Sequence, residues 1–362
     1  MTKSPHNNYI TIVKALGIIL MVIGHSGCPL ILSKFIYLFH MPLFFFCSGI
    51  FMKTISDKET ALAFLKKRIV GLYFPFVKWS ILFLSLHNLF MLIGIYNPYY
   101  GFEGGSYYYT LEDIIQKLFF ILFTMHEYEE LLGGFWFIRA LFISSIIIAV
   151  SSLFLNKVKR NKYELLCLIY LLLTILIRRL ASDSEFWRDI SMGMFGAFFY
   201  MLGYVAMRYS SYWYNKYVVA ICCISMVLLY IYFEDGISMG CGYNKVIPFS
   251  ISAISGTLLT LYVSKLIEKR TLVLKRFLYC IGNHTLVILA LHFLSFRFVS
   301  YFLVLANGLD VSLVAEHPVI TSVNTLFLWW IVYAIIGVVV PIILVLIYQY
   351  ICNSLNKVII WK

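Results

Sequence analysis

Apolar residues run through this chain in long, nearly unbroken stretches, not at the three-to-four-residue spacing of helices half turned to water. Ten stretches are long enough to cross a hydrocarbon core of roughly 30 Å, which takes about 20 helical residues. They lie at 10–28, 35–52, 69–95, 133–154, 163–180, 190–208, 214–233, 246–267, 280–304 and 320–350. Lipid satisfies no free backbone group, so each stretch is predicted to be a helix. The predicted fold class is an all-α integral membrane protein, a single bundle of about ten transmembrane helices over 1–362. The first stretch follows only Lys3, contains Lys14, and ends without a small-x-small cleavage site. It therefore reads as a retained span, not a secretory signal.

The segments between the stretches alternate in basic content. With the N-terminus inside, nineteen Lys and Arg fall in inner segments, among them Lys53, Lys58, Lys66, Lys67, Arg68, Lys159, Arg160 and Lys362. Six fall outside: Lys34, Lys117, Arg178, Arg179, Arg188 and Lys245. This asymmetry predicts cytoplasmic N- and C-termini. It also accounts for the formal net charge of +12 without a nucleic-acid partner. Composition agrees: 62% of residues are hydrophobic and 13% charged, against about a quarter charged in soluble domains. The eight cysteines include no C-x-x-C pair, so they suggest apolar filler and no metal or redox motif.

The longest connection, Ile95 to Leu132, is predicted to lie outside. It carries GFEGGSYYYT and HEYEE, with Glu103, Glu112, Asp113, Glu127, Glu129 and Glu130. These acids read mainly as a solvated surface; Glu103 or Glu127 orienting a histidine is the sharper alternative. LEDIIQKLFFILF within it is too short and too amphipathic to span, so an interfacial or re-entrant helix is expected. Tyr96, Tyr99, Tyr100, Tyr212, Trp213 and Tyr214 sit near stretch ends, as an aromatic belt requires.

Ionisable residues within spans are costly and point to function. Lys14 and His25 are eleven residues apart, which returns to within about 20° of one helix face and roughly 16 Å along it. His40 begins the second stretch, a short loop from His25. It is either catalytic or an interfacial cap. Arg139, His292 and Arg297 are further polar groups within spans, and Lys66, Lys67 and Arg68 form a basic approach to the third stretch. The latter three read as ordinary inner-side charge or as contacts for donor phosphates. There is no G-x-x-x-x-G-K-[ST] loop, G-x-S-x-G elbow or H-E-x-x-H helix. Histidine with cationic groups suits acyl transfer, in which imidazole takes a hydroxyl proton and cations hold an anionic donor.

YITIVKALGIILMVIGH resembles the first helix of the acyltransferase-3 family, membrane acyltransferases that O-acetylate surface polysaccharides, peptidoglycan and related glycans. The family pattern is a basic residue, ten intervening positions and a histidine, matched by Lys14 and His25. FHMPLFFFCSGIFMK resembles its second helix, with His40, Pro42, Ser48 and Gly49. LKKRIVGLYFPFVKW, GFWFIRALF, FYMLGYVAM and IGNHTLVILALHF extend the likeness over most of the chain. Lys14 stands where the family usually has arginine, and Thr11 where an aspartate is common.

The resemblance implies an O-acetyltransferase of the bacterial inner (plasma) membrane. Acetyl-CoA is its cytosolic acyl-donor substrate, no cofactor is held permanently, and the acceptor is a polysaccharide or lipid-linked glycan precursor. His25 and His40 would be catalytic. Lys14, Arg139, Lys66, Lys67, Arg68 and His292 would bind donor or acceptor, and no metal is expected. The lipid bilayer is a partner by composition; a homo-oligomer or a glycan-assembly complex stays open. An exporter of an acyl acid or a glycan is the rival reading.

Overall fold

A computed structural model describes residues 8–102, 104–158, 161–180, 184–209, 215–270, 272–321 and 328–360. Glu103, Lys3, Lys159, Arg160, Lys362, Tyr212, Trp213 and Tyr214, used in the sequence reading, lie outside them, as does part of the 320–350 stretch. Among the described residues there are fourteen α-helices and no strand. In chain order they are α1 (Asn8–His25), α2 (Leu30–Tyr37), α3 (His40–Ile50), α4 (Lys58–Arg68), α5 (Phe74–Leu92), α6 (Leu111–Thr124) and α7 (Trp136–Phe154). Then follow α8 (Lys162–Leu180), α9 (Glu185–Ala206), α10 (Lys216–Tyr232), α11 (Val246–Arg270), α12 (Leu272–Asn283), α13 (Thr285–Asn307) and α14 (Trp329–Ile360).

Among the described residues, seven helical stretches are long and apolar enough to cross a bilayer: Leu30–Ile50, Lys58–Leu92, Trp136–Phe154, Glu185–Tyr209, Val246–Lys269, Thr285–Asn307 and Trp329–Cys352. Two more predicted spans form shorter apolar helices, Tyr9–His25 and Lys216–Tyr232. The remaining one, α8, is 19 residues long but carries Lys162 and Glu164 at one end and Arg178 and Arg179 at the other, so its apolar stretch is short.

Three predicted boundaries are corrected by local chemistry. The 35–52 stretch is broken between α2 and α3, where Phe39 turns to an extended φ of −152°. The His40 Nδ1–H donates to the Ile36 carbonyl at 2.9 Å, beside the Phe39 N–H, which donates to the same oxygen at 3.2 Å. The 280–304 stretch is broken at His284, whose ring bonds the Cys280 carbonyl at 2.8 Å in the same way. The 69–95 stretch starts earlier, because a π-helical turn over Ile69–Tyr73 joins α4 to α5 without interruption.

Membrane helices gain nothing from moving one another out of lipid, so close packing through small residues carries association. The crossing of α3 on α9 depends on this. A Cβ on Gly49 would collide with the Tyr200 carbonyl, and one on Gly203 with the Phe46 carbonyl. The Ser144 hydroxyl on α7 donates to the Gly193 carbonyl of α9 at 2.8 Å. On the other side α1 meets α12 where a Cβ on Gly282 would overlap the Thr11 carbonyl. Helices α1 and α3 also touch each other directly, with Gly17 fitted against Leu43 and Phe44. The site lies along this seam.

Candidate functional site: a cavity beneath a histidine cluster

The C-terminal end of α1 presents His25, and the helix break places Tyr37 and His40 beside it. The Tyr37 hydroxyl lies 3.4 Å from His25 Nδ1, and its ring packs edge-on to His40 with centroids 5.0 Å apart. From α13, His292 comes within 5.7 Å of the His25 ring, centroid to centroid, and Phe293 within 5.1 Å. The structure thus joins three histidines from separate stretches of sequence: His25 and His292 directly, His40 through Tyr37.

Each backbone contact fixes a tautomer. Donation from His40 Nδ1 to Ile36 leaves Nε2 as an acceptor. His292 Nδ1 faces the Ile288 and Leu289 carbonyls at 3.2 and 3.0 Å, so its Nε2 likewise keeps a lone pair. That atom is buried and has no hydrogen-bond partner among the described residues. The capping role foreseen for His40 and a chemical role are therefore compatible, since each uses a different nitrogen.

Beneath the cluster lies a cavity of about 310 Å³. On α1 it is lined by Lys14, Ile18 and Met21; His25 follows four residues on, so the shared face of Lys14 and His25 is real. On α3 the lining includes Met41, Phe44 and Ser48, and on α13 Thr285 and Leu289. All three helices grade alike, with Lys14, Ser48 and Thr285 at one end and an apolar middle leading to a histidine. Arg68 joins Lys14 in the lining and donates to the Tyr200 hydroxyl. Its neighbours Lys66 and Lys67 are exposed and do not line the cavity.

The rim on the histidine side is a network of buried charge. Arg297 donates to Glu130 at 2.9 Å, with side chains 3% and 9% exposed, and also to the Glu316 carbonyl. His317 packs on Phe293, centroids 4.7 Å apart. Burial, with Arg297 and His25 nearby, holds the His317 imidazole down to about 3, so it stays neutral. Glu129 pairs with His87 at 2.9 Å, both nearly buried, and His87 stacks flat on Tyr109 at 3.5 Å. The expectation that these glutamates form a solvated surface is thus corrected for Glu129 and Glu130. They pin the long connection to α5 and α13, where a charge is tolerated because a partner is present.

Arg139 takes a different place from the histidines. It ion-pairs with Asp189 of α9, among His126, Glu127 and Glu185. Glu127 is a neighbour of Arg139 and orients no histidine of the cluster; burial raises its carboxyl to about 7. The short helix α6 matches the amphipathic segment expected in the long connection. Leu111, Ile115, Phe119 and Phe123 form one exposed stripe on it. Tyr37 and His317 were not foreseen. Neither sits in a patterned sequence context, and only the fold brings them to His25.

Chemically, the arrangement offers cations at one end of a largely apolar cavity and, beyond its other end, imidazole nitrogens that carry lone pairs. Among the described residues no group of three or more His, Cys, Asp or Glu is arranged to hold a metal ion. The acyltransferase domain of the acyltransferase-3 family matches residues 7–346. No curated protein and no solved structure matches the chain.

Proposed function

Given that the chain belongs to the acyltransferase-3 family, we propose that it is a membrane O-acetyltransferase. It moves an acetyl group from cytosolic acetyl-CoA to a hydroxyl of a surface polysaccharide or lipid-linked glycan precursor. The observation that carries this reading is the cavity between Lys14 and Arg68 at one end and the His25, His40 and His292 cluster beyond the other. At about 310 Å³ it is at the small end for ligand pockets, which run from roughly 300 Å³ upward. It suits the slender thioester arm of the donor, while the nucleotide stays outside near Arg68, Lys66 and Lys67. Guanidinium and ammonium groups there meet phosphate oxygens.

In this reading the protein crosses a bacterial inner membrane about ten times, α1, α8 and α10 included, with both termini in the cytoplasm. The Lys14 end then faces the donor and the histidine end faces the acceptor. His25 serves as general base on the acceptor hydroxyl, or as the nucleophile that carries the acetyl group across. Arg297, Glu130 and the aromatic loop residues frame the acceptor side.

The test is mass spectrometry of surface glycan from cells carrying the wild-type protein, His25→Ala, or no protein. Loss of an acetyl mass in the last two, with normal membrane insertion of His25→Ala, is expected. Full acetylation by His25→Ala would sink the mechanism. Unmodified glycan accumulating inside cells that lack the protein would favour export.

A further inference from the structure

The Nε2 atom of His292 has no assigned task. Its side chain is 0% exposed, its Nδ1–H is committed to the carbonyls of α13, and Nε2 is buried without a hydrogen-bond partner among the described residues. Buried imidazole nitrogens normally find a partner, because a buried acceptor left without one loses the hydration it had in water and gains nothing in return. The surroundings are built to hold this ring. Phe293 lies against it with centroids 3.9 Å apart, Phe296 packs edge-on at 5.7 Å, and Gly134 leaves room beside its Cε1.

With Nδ1–H committed to backbone acceptors, His292 in this tautomer presents a lone pair at Nε2 that can take up a proton and has none to donate. His25 differs, since its Nδ1 meets the Tyr37 hydroxyl, which either donates or accepts. When Tyr37 accepts from the His25 Nδ1–H, His25 Nε2 is free as a nucleophile. The two imidazoles are direct neighbours, with ring centroids 5.7 Å apart.

We infer that the two histidines divide the reaction: His25 carries the acetyl group and His292 is the base that takes the acceptor's proton. This rests on the acyl-transfer reading above. In the first half, the His25 nitrogen lone pair attacks the thioester carbonyl. The C–N bond forms, the C–S bond breaks, and the sulfur leaves as CoA thiolate, which takes a proton from water. His25 is left as an acetylimidazolium that keeps its Nδ1 proton. In the second half, the acceptor oxygen attacks the same carbon. The C–O bond forms, the C–N bond breaks with its electrons returning to His25, and the hydroxyl proton passes to His292 Nε2. His292 then releases that proton to water, and both rings are restored.

The division is testable because the halves can be measured separately. Full-length protein in nanodiscs is given acetyl-CoA and labelled CoA, and label exchange reports the first half without an acceptor. Transfer to O-deacetylated surface polysaccharide reports both halves. His292→Gln is expected to keep exchange within about threefold of wild type and to lose transfer by about a hundredfold or more. His25→Ala should lose both. His292→Ala supplies a second measurement: added imidazole should restore part of its transfer. Transfer within threefold of wild type in His292→Gln overturns the inference. So does a parallel loss of exchange and transfer without rescue by imidazole, which marks a structural role. Wild-type protein that transfers without exchanging excludes the acetylated His25 and with it the division. Wild-type protein that does neither overturns the acetyl-CoA reading itself.

Discussion

His25 and Tyr37 meet across the turn between α1 and α2, with the phenol hydroxyl 3.4 Å from His25 Nδ1. The same phenol packs edge-on to His40. One tyrosine therefore sets the orientation of one imidazole and the packing of another. Its hydroxyl accepts from Nδ1 in one tautomer of His25 and donates to it in the other, so this contact is linked to the chemistry open to the second nitrogen.

Tyr37→Phe should keep the fold and the ring packing while releasing His25 Nδ1. A single such hydrogen bond is worth about 1 kcal/mol, so a fall in kcat of about five- to tenfold is expected, with KM for acetyl-CoA unchanged. Steady-state kinetics on purified protein checks it; an unchanged kcat would show that Tyr37 orients nothing.

Lys14 and Arg68 share the cavity lining, whereas Lys66 and Lys67 are exposed. Lys14→Ala or Arg68→Ala should raise KM for acetyl-CoA by about tenfold or more, as loss of a charge-assisted contact of about 1.5–3 kcal/mol implies. Lys66→Ala and Lys67→Ala should change it by less than about threefold, and that small effect should vanish at high salt. Donor titrations at two ionic strengths separate the two classes.

The crossing of α3 and α9 permits no side chain at Gly203, because a Cβ would strike the Phe46 carbonyl. Backbone cannot rotate away as a side chain can. Gly203→Val should therefore cost about 3 kcal/mol or more, lowering the thermal midpoint in detergent and the yield of folded protein. Gly71, where nothing lies within 4 Å of an added Cβ, is the control: Gly71→Ala should leave the midpoint unchanged or raised. Equal effects at both glycines would refute the packing argument.

Glu127 carries a pH signature. Burial raises its carboxyl from 4.5 to about 7, so the folded state holds a proton that the unfolded chain releases. Stability must then fall as pH rises from 4.5 through 7 and stay lower above it. Glu127→Gln removes this dependence. The variant should match wild type near pH 4.5 and exceed it by about 1–3 kcal/mol at pH 8, read from denaturant or thermal unfolding at both values. A variant less stable than wild type at pH 8 would reverse the sign and reject the assignment.

Much of this protein was readable from the chain. Continuous apolar stretches dictate helices, because backbone groups in lipid pair only with one another. Each of the ten predicted stretches contains a helix among the described residues. The face shared by Lys14 and His25 follows from 3.6-residue periodicity alone, and the cavity lining by Lys14, Ile18 and Met21 repeats that spacing. The family was legible for the same reason, since it is written in the polar residues that interrupt an apolar first helix. Local composition, helix period and a rare in-span charge are properties of single segments, and sequence determines those.

What only the tertiary structure decided are relationships between segments. Apolar composition passes straight through the break at Phe39, whereas the break at His284 falls on the polar run Gly282, Asn283, His284 and Thr285 that the predicted stretch spans. The pairing of Arg139 with Asp189 joins two helices through residues that the sequence separates by fifty positions. Glu130 read as solvated until Arg297 was found beside it. His292, far along the chain, was one polar residue among several; the approach of α13 to α1 set its ring 5.7 Å from His25. The physical reason is common to all of these. The free energy of a charge or an imidazole depends on what surrounds it within a few ångströms, and in a helical bundle those neighbours come from distant parts of the sequence.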